Sequence, residues 1–315
     1  MSPFEFITRE QPTMYFFGVT TGKSSSRKMF PAWMEILGKT GDLVGVDFPL
    51  NAPVEQYRAA VNQIKHDPLS LGALVTTHKI NVLNAARDLF DELTPDAQLC
   101  REVSCIYKRD NRLIGHAVDP VTSARSMKMF IPEGYWNEHQ ADILCLGAGG
   151  SAVAITVHFV THTTQVDRPR RMVIVNRSQG KLDTLKSLVA SLPVSGIQFE
   201  FVCNQDPLQN DRLMVALPPH SMVINATGMG KDTPGSPITD VGIFPQNGIA
   251  WELNYRGELD FLHQAKAQAQ MQHLTIEDGW IYFLEGWAEV VSAVFDVEIT
   301  PERFSALATA AEAIR

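Results

Sequence analysis

The chain has 315 residues and a mass of 34.9 kDa, more than one modest core usually organises, so two domains are predicted. A hydrophobic fraction of 45% and a charged fraction of 20% exclude a disordered or fibrous chain, and a net charge of -8 argues against nucleic acid or an anionic membrane as partner. No run of roughly 18 apolar residues occurs, and the opening MSPFEFITREQPTM lacks the basic segment and apolar core of a secretory signal. Cys100, Cys105, Cys145 and Cys203 show no CxxC spacing, and the histidines show no metal-ligand spacing. Reduced thiols, no metal and a cytoplasmic location follow as expectations.

Short apolar runs alternate with longer helical stretches, the pattern of an α/β protein. In chain order, MYFFGV (14–19), DLVGVDF (42–48), GALVT (72–76), VSCIYK (103–108) and RLIGHA (112–117) are predicted strands, with helices over 27–38, 54–66 and 80–91. Lys108-Arg109-Asp110-Asn111 reads as the hairpin turn joining the last two strands. The polar, Pro- and Gly-bearing IPEGYWNEHQAD (131–142) reads as a domain boundary. Beyond it, ILCLG (143–147), MVIVN (172–176), FEFVC (199–203), MVIN (222–225) and IAWEL (249–253) are nearly continuous apolar runs, as parallel strands covered on both faces would be. The tail, 281–294 and 301–314, is helical.

Gly147-Ala148-Gly149-Gly150-Ser151 follows one of these strands and opens an apolar helical run. A tight turn there lets backbone amides and a helix N-terminus meet a pyrophosphate without obstruction by Cβ atoms, so the loop predicts a dinucleotide site. The next strand ends in Asn176-Arg177-Ser178, with Lys181 close behind and no acidic residue before Asp183. A carboxylate at that place would hold the ribose 2′-hydroxyl of NAD; Arg and Lys attract a 2′-phosphate instead, so NADP is predicted. The polar segment THTTQVDRPRR (161–171) reads as a surface insertion that lengthens the spacing between the two motifs.

These motifs, with others in the same order, resemble the shikimate/quinate dehydrogenase family along nearly the whole chain. FGVTTGKSSS (17–26) is similar to the family's substrate-carboxylate segment, with Ser24 and Ser26 at its two serines. GALVTTHK (72–79) resembles Asn-Val-Thr-x-Pro-x-Lys, which places Thr76 against substrate and Lys79 at the catalytic lysine. LIGHAVD (113–119) resembles Gly-x-Asn-Thr-Asp, with Asp119 at the catalytic aspartate. NATGMG (225–230), through Thr227, ELNYRG (252–257), through Leu253, and Gly279 fall at cofactor-contacting positions, and Tyr255 at a substrate-contacting one. The departures lie where the family contacts ring hydroxyls. Its Ala-Val-Asn-Thr segment reads Glu102-Val103-Ser104-Cys105, the Asn before Thr-Asp becomes Ala117, the first Asn before the lysine becomes Leu74, and a late Gln falls at Gly286.

The resemblance implies two domains. Residues 1–130, completed by C-terminal helices 278–315, would bind substrate; 131–277 would be a Rossmann-like, doubly wound NADP-binding domain. It further implies an oxidoreductase of aromatic amino acid biosynthesis, monomeric or homodimeric, acting on shikimate or a related carboxylate-bearing cyclic hydroxy acid. A lysine beside a secondary alcohol can take its proton while the hydride leaves, and a nearby carboxylate can orient it, so Lys79 and Asp119 are the expected proton-transfer pair. His78 and His116, which flank the pair, read as groups that pack against or support it, with replacement of a lost polar contact by one of them as the alternative. The competing reading is a protein that binds NADP(H) or a metabolite and has lost turnover.

Overall fold

The computed structural model of the protein describes residues 7–164, 166–193, 195–231 and 233–315. The chain divides into two compact units: residues up to Val118 together with Gly286–Arg315, and Asp119–Glu285. Residues 119–130 and 278–285 thus group with the second unit.

The first unit holds β1 (Thr13–Gly18), α1 (Ser26–Leu37), β2 (Asp42–Asp47), α2 (Val54–His66), β3 (Ser70–Val75), α3 (Lys79–Ala86), β4 (Glu92–Leu93), α4 (Pro95–Cys100), β5 (Cys105–Arg109) and β6 (Arg112–His116). Its sheet runs β2-β1-β3-β5-β6-β4, with β5 antiparallel to β3 and β6. β1 is buried along its whole length, because it is central and covered on both faces. The β5–β6 turn places Asp110 and Asn111 at φ 51 and 59°, the two left-handed residues such a tight hairpin needs.

The second unit holds α5 (Asp119–Met127), α6 (Tyr135–His139), β7 (Asp142–Leu146), α7 (Gly150–Val157), β8 (Arg171–Asn176), α8 (Gln179–Ser191), β9 (Gln198–Cys203), α9 (Pro207–Val215), β10 (Met222–Asn225), β11 (Ile249–Glu252), α10 (Asp260–Gln272) and β12 (Thr275–Glu277). All six strands are parallel in the order β12-β11-β10-β7-β8-β9. That is the doubly wound order, and its direction reverses between β7 and β10, where such sheets bind ligands. Leu144, Leu146, Val173, Val175, Val223 and Ala250 pack with Phe244 and Phe261 on one face.

Two further helices, α11 (Trp280–Phe295) and α12 (Pro301–Glu312), close the chain. From Gly286 onward they belong to the first unit: Trp33 Nε1 of α1 donates to the Leu307 carbonyl of α12 at 3.0 Å, and Phe16 meets Trp287 edge-on.

The stretch 131–142 is folded rather than open. Asp167 accepts from the backbone N–H groups of Gly134, Trp136 and Asn137 at 2.9–3.1 Å, capping α6, and Tyr135 and Trp136 are buried. Part of the expected insertion is also ordered. His158–His162 form a π-helical turn that prolongs α7, and Arg168 donates to Thr163 and to the Ser195 carbonyl. Gln165 of that segment lies outside the described residues.

Candidate active site

In the first unit, the ends of β1 and β3 crowd together. A Cβ on Gly18 would stand 3.0 Å from Thr21 Cγ2 and 3.1 Å from Thr76 Oγ1, so the closest approach falls on glycine. Thr76 turns its N–H and its hydroxyl onto the same acceptor, the Phe17 carbonyl, at 3.0 and 3.2 Å. Its oxygen is left to accept from a ligand. Ser24 follows the one-turn helix Thr21–Lys23, and the buried Ser26 opens α1. Ser26 donates to Ser24 Oγ from its hydroxyl (2.8 Å) and its backbone N–H (3.3 Å), which leaves the Ser24 O–H to donate onward.

Lys79 begins α3, and its Nζ stands 3.8 Å from Oε1 of Glu102, which is 2% exposed. The Lys79 carbonyl accepts from Val103 N at 3.3 Å. Ser104 is buried and committed: its N–H donates to the His116 carbonyl, and its hydroxyl oxygen accepts from Val118 N at 2.8 Å. Asp119, the next residue, begins α5 in the second unit and is buried. His78 is a packing group. Its Nδ1 is 2.9 Å from Tyr57 Oη, its Nε2 is 3.1 Å from the Phe48 carbonyl, and burial pushes its pKa down, so the ring is neutral. His116 Nδ1 pairs with Thr94 Oγ1.

In the second unit, the glycine loop sits where the strand order reverses. Gly147 has φ 125°, and a Cβ there would stand 2.4 Å from the Ala226 carbonyl, so only glycine fits. Ala148 is buried, Gly149 precedes α7, Gly150 and Ser151 begin it, and no side chain caps that helix start. At the end of β8, Asn176 Oδ1 accepts from Ser178 N at 2.8 Å, which shapes the turn. Arg177 and Lys181 are exposed around it, and Gln179 donates to Asp183 on α8.

Across β10 and β11 a polar cluster orders two more predicted positions. Asn225 Oδ1 accepts from the Thr227 N–H and hydroxyl, at 3.1 and 2.6 Å. Asn225 Nδ2 donates to Glu252 at 2.6 Å, and Asn254 donates to Glu252 through its backbone and its amide. Burial pushes the Glu252 carboxyl up to about 7, against the pull of these donors. Leu253 and Gly279 meet: a Cβ on Gly279 would stand 2.1 Å from the Leu253 carbonyl. Tyr255 lies 4.3 Å, ring to ring, from Phe283.

Thus the first unit gathers Ser24 with Ser26 and seats Lys79 next to the strand end that carries Ser104, while the second gathers Gly147 with Thr227's loop and Leu253 with Gly279. Sequence reasoning passed over two carboxylates, Glu102 and Glu252. The signal for Glu102 was an acid directly ahead of the predicted strand 103–108; for Glu252 it was an acid closing an apolar strand.

No model of a known protein family matches the chain. Among curated proteins it is 30% identical over 179 residues to shikimate dehydrogenase (NADP(+)) of Streptococcus thermophilus, covering 56% of this chain and 58% of that protein. It is 26% identical over 208 residues to the enzyme of the same name from Symbiobacterium thermophilum, 65% of each chain. The match therefore spans less than two thirds of the length of these relatives. In structure it is similar to shikimate dehydrogenase of Thermus thermophilus, solved with NADP(H) and shikimate, with a TM-score of 0.68 at 22% identity over 95% of this chain and 99% of that one. It is equally similar to 5-ketofructose reductase of Gluconobacter sp. strain CHM43, with 0.69 at 20% over 97% and 99%. At these identities the likeness is one of fold, and it matches the expected two-domain α/β architecture.

Proposed function

We propose that this chain is a member of the shikimate/quinate dehydrogenase family and an NADP-dependent dehydrogenase interconverting a cyclic hydroxy acid and its ketone, a reading supported by its similarity to curated shikimate dehydrogenases. The observation that carries this reading is the Gly147 turn at the reversal of strand order, whose φ and contacts tolerate no side chain. Such a cradle, followed by an uncapped helix start, fits a pyrophosphate. Arg177 and Lys181 supply cations suited to a 2′-phosphate, with Asn176 and Ser178 shaping the turn beneath them, and Thr227, Leu253 and Gly279 lining the same strand ends. When bound, the nicotinamide supplies or accepts the hydride.

The chain's own residues handle the proton and the substrate. Lys79 Nζ gives a proton to the oxygen of the ketone during reduction, or takes it from the alcohol during oxidation, and Asp119 orients that exchange. The Ser24 O–H donates to the substrate carboxylate, the Thr76 oxygen is left to accept from a substrate hydroxyl, and the resemblance gives Tyr255 a substrate contact as well. Ser104 offers a ring hydroxyl less than an asparagine would, since its oxygen is taken by Val118 N. Ala117 has no polar group, and open space surrounds Gly286 where a Cβ would be. This pattern favours a substrate with fewer or differently placed hydroxyls than shikimate.

A panel of cyclic hydroxy acids, assayed with NADP and NAD in parallel, tests the reading. Turnover with NADP preferred is expected. NADPH binding without turnover of any acid would instead support a sensor.

A further inference from the structure

The proposed chemistry leaves one carboxylate beside its lysine without a task. Glu102 is 2% exposed, its Oε1 lies 3.8 Å from Lys79 Nζ, and the Lys79 side chain is itself only 19% exposed. Backbone hydrogen bonds fix the approach: Val103 N donates to the Lys79 carbonyl at 3.3 Å, and Val75 N donates to the Ser104 carbonyl at 2.8 Å. The segment bearing Glu102 is thereby tied both to the first residue of α3 and to the end of β3. A glutamate buried this deeply is costly unless a cation stays beside it. The start of α3 works the other way, since a helix N-terminus disfavours an ammonium group.

We propose that Glu102 is a positioning residue for Lys79, holding its side chain in place and in the ammonium form, so that the pair favours proton donation to a ketone. The inference rests on Lys79 as the proton-transfer group. In reduction a hydride bonds to the carbonyl carbon, the C=O pair moves to oxygen, and that oxygen takes a proton from Nζ. Lys79 is left a neutral amine that solvent reprotonates, and the nicotinamide is left oxidised. Glu102 extends the pH range over which the ammonium is available for this step and narrows the range in which a neutral amine can start the reverse one.

The other titratable groups on the surrounding elements have their own partners. His78 is bonded to Tyr57 and the Phe48 carbonyl, His116 to Thr94, and Asp47 accepts from Thr21 N. Asp119 is unchanged in every variant below, so a shift reads Glu102.

Two measurements on the full-length protein test this. Competitive acylation of amines across a pH series, read at Lys79 by peptide mass spectrometry, reports the lysine's titration whether or not any substrate is turned over. Glu102→Gln should lower its midpoint by about 1–3 pH units, and Glu102→Asp, which keeps the charge, by less. The alkaline limb of ketone reduction should fall by the same amount in Glu102→Gln, while NADPH affinity stays unchanged. Glu102→Ala serves if the glutamine variant does not fold. A shifted Lys79 midpoint in a protein that turns over no acid would support the Glu102–Lys79 link and defeat the dehydrogenase reading. An unmoved midpoint in a folded variant overturns the inference.

Discussion

The two units set their functional positions by different means. In the second, backbone shape decides: a Cβ on Gly147 would press into the Ala226 carbonyl, and one on Gly279 into the Leu253 carbonyl. In the first, side chains hold one another, as Ser26 holds Ser24, Glu102 faces Lys79, and Ser104 accepts from Val118. A backbone-made site leaves no freedom at its own residue. A side-chain-made site can exchange one polar group for another, provided that the network is satisfied again. The departures at Leu74, Glu102, Ser104, Ala117 and Gly286 all fall in the first unit, where exchange is possible.

The sharpest way to separate the units is to remove one function from each. Lys79→Met should cut turnover by about 10²–10⁴-fold while NADPH binding survives, since the proposed proton donor is lost from a unit that carries none of the predicted cofactor contacts. Near-normal turnover, measured by NADPH absorbance, would remove the proposed mechanism. Asp119→Asn should also lower turnover.

The units also bury carboxylates differently, and that contrast is testable by pH. Glu102 sits beside an ammonium, whereas Glu252 is held by the amides of Asn225 and Asn254. Burial raises the Glu252 carboxyl from its ordinary value of 4.5 to about 7, so the folded state favours the protonated form. Its contribution is fully present below pH 4.5 and is lost as the pH rises through 7. The loss is roughly 3 kcal/mol by linkage. Glu252→Gln should flatten the decline in thermal stability across that window; an unchanged slope would show that other groups cause it.

A smaller effect is expected where the second unit does rely on side chains. Arg177→Ala should raise the Michaelis constant for NADP by the loss of a charge-assisted contact, roughly 1.5–3 kcal/mol, and leave NAD nearly unaffected. Equal changes for both cofactors would contradict a 2′-phosphate role.

The two units were also unequally legible in the sequence. Parallel strands β7, β8, β10 and β11 announced themselves as unbroken apolar runs, and the Gly147 loop by its place between a strand and a helix. The hairpin turn at Asp110-Asn111 was legible for the same reason, because its left-handed backbone restricts residue choice. The short elements β4, α4, α6 and β12 were not, being two to six residues long with too little periodicity to read. α6 was hidden by its polarity: its cap, Asp167, lies some thirty residues downstream and cannot be paired with it by local pattern. Lys79 was legible only through resemblance, and the weight of Glu102 only once folding had brought it beside that lysine. Contacts that depend on two distant side chains leave no spacing to read.

The smallest expected effect refines the account of the first unit as a network. Ser24 accepts from Ser26 and keeps its own O–H, so of the two serines only Ser24 is set to make the proposed bond to a substrate carboxylate. Ser24→Ala should therefore weaken the Michaelis constant for an acid substrate by roughly 10-fold, the cost of about 1.5 kcal/mol for a hydrogen bond to a charged group. Ser26→Ala removes one of the two bonds that orient Ser24, keeps the backbone one and leaves the Ser24 donor in place, so a change of only a few-fold, about 0.5–1 kcal/mol, is expected. With a substrate analogue whose carboxylate is replaced by a neutral group, both differences should shrink towards zero. If Ser26→Ala proves the more damaging of the two, the donor to substrate is Ser26, and the hydrogen-bond direction between the serines is reversed when substrate binds.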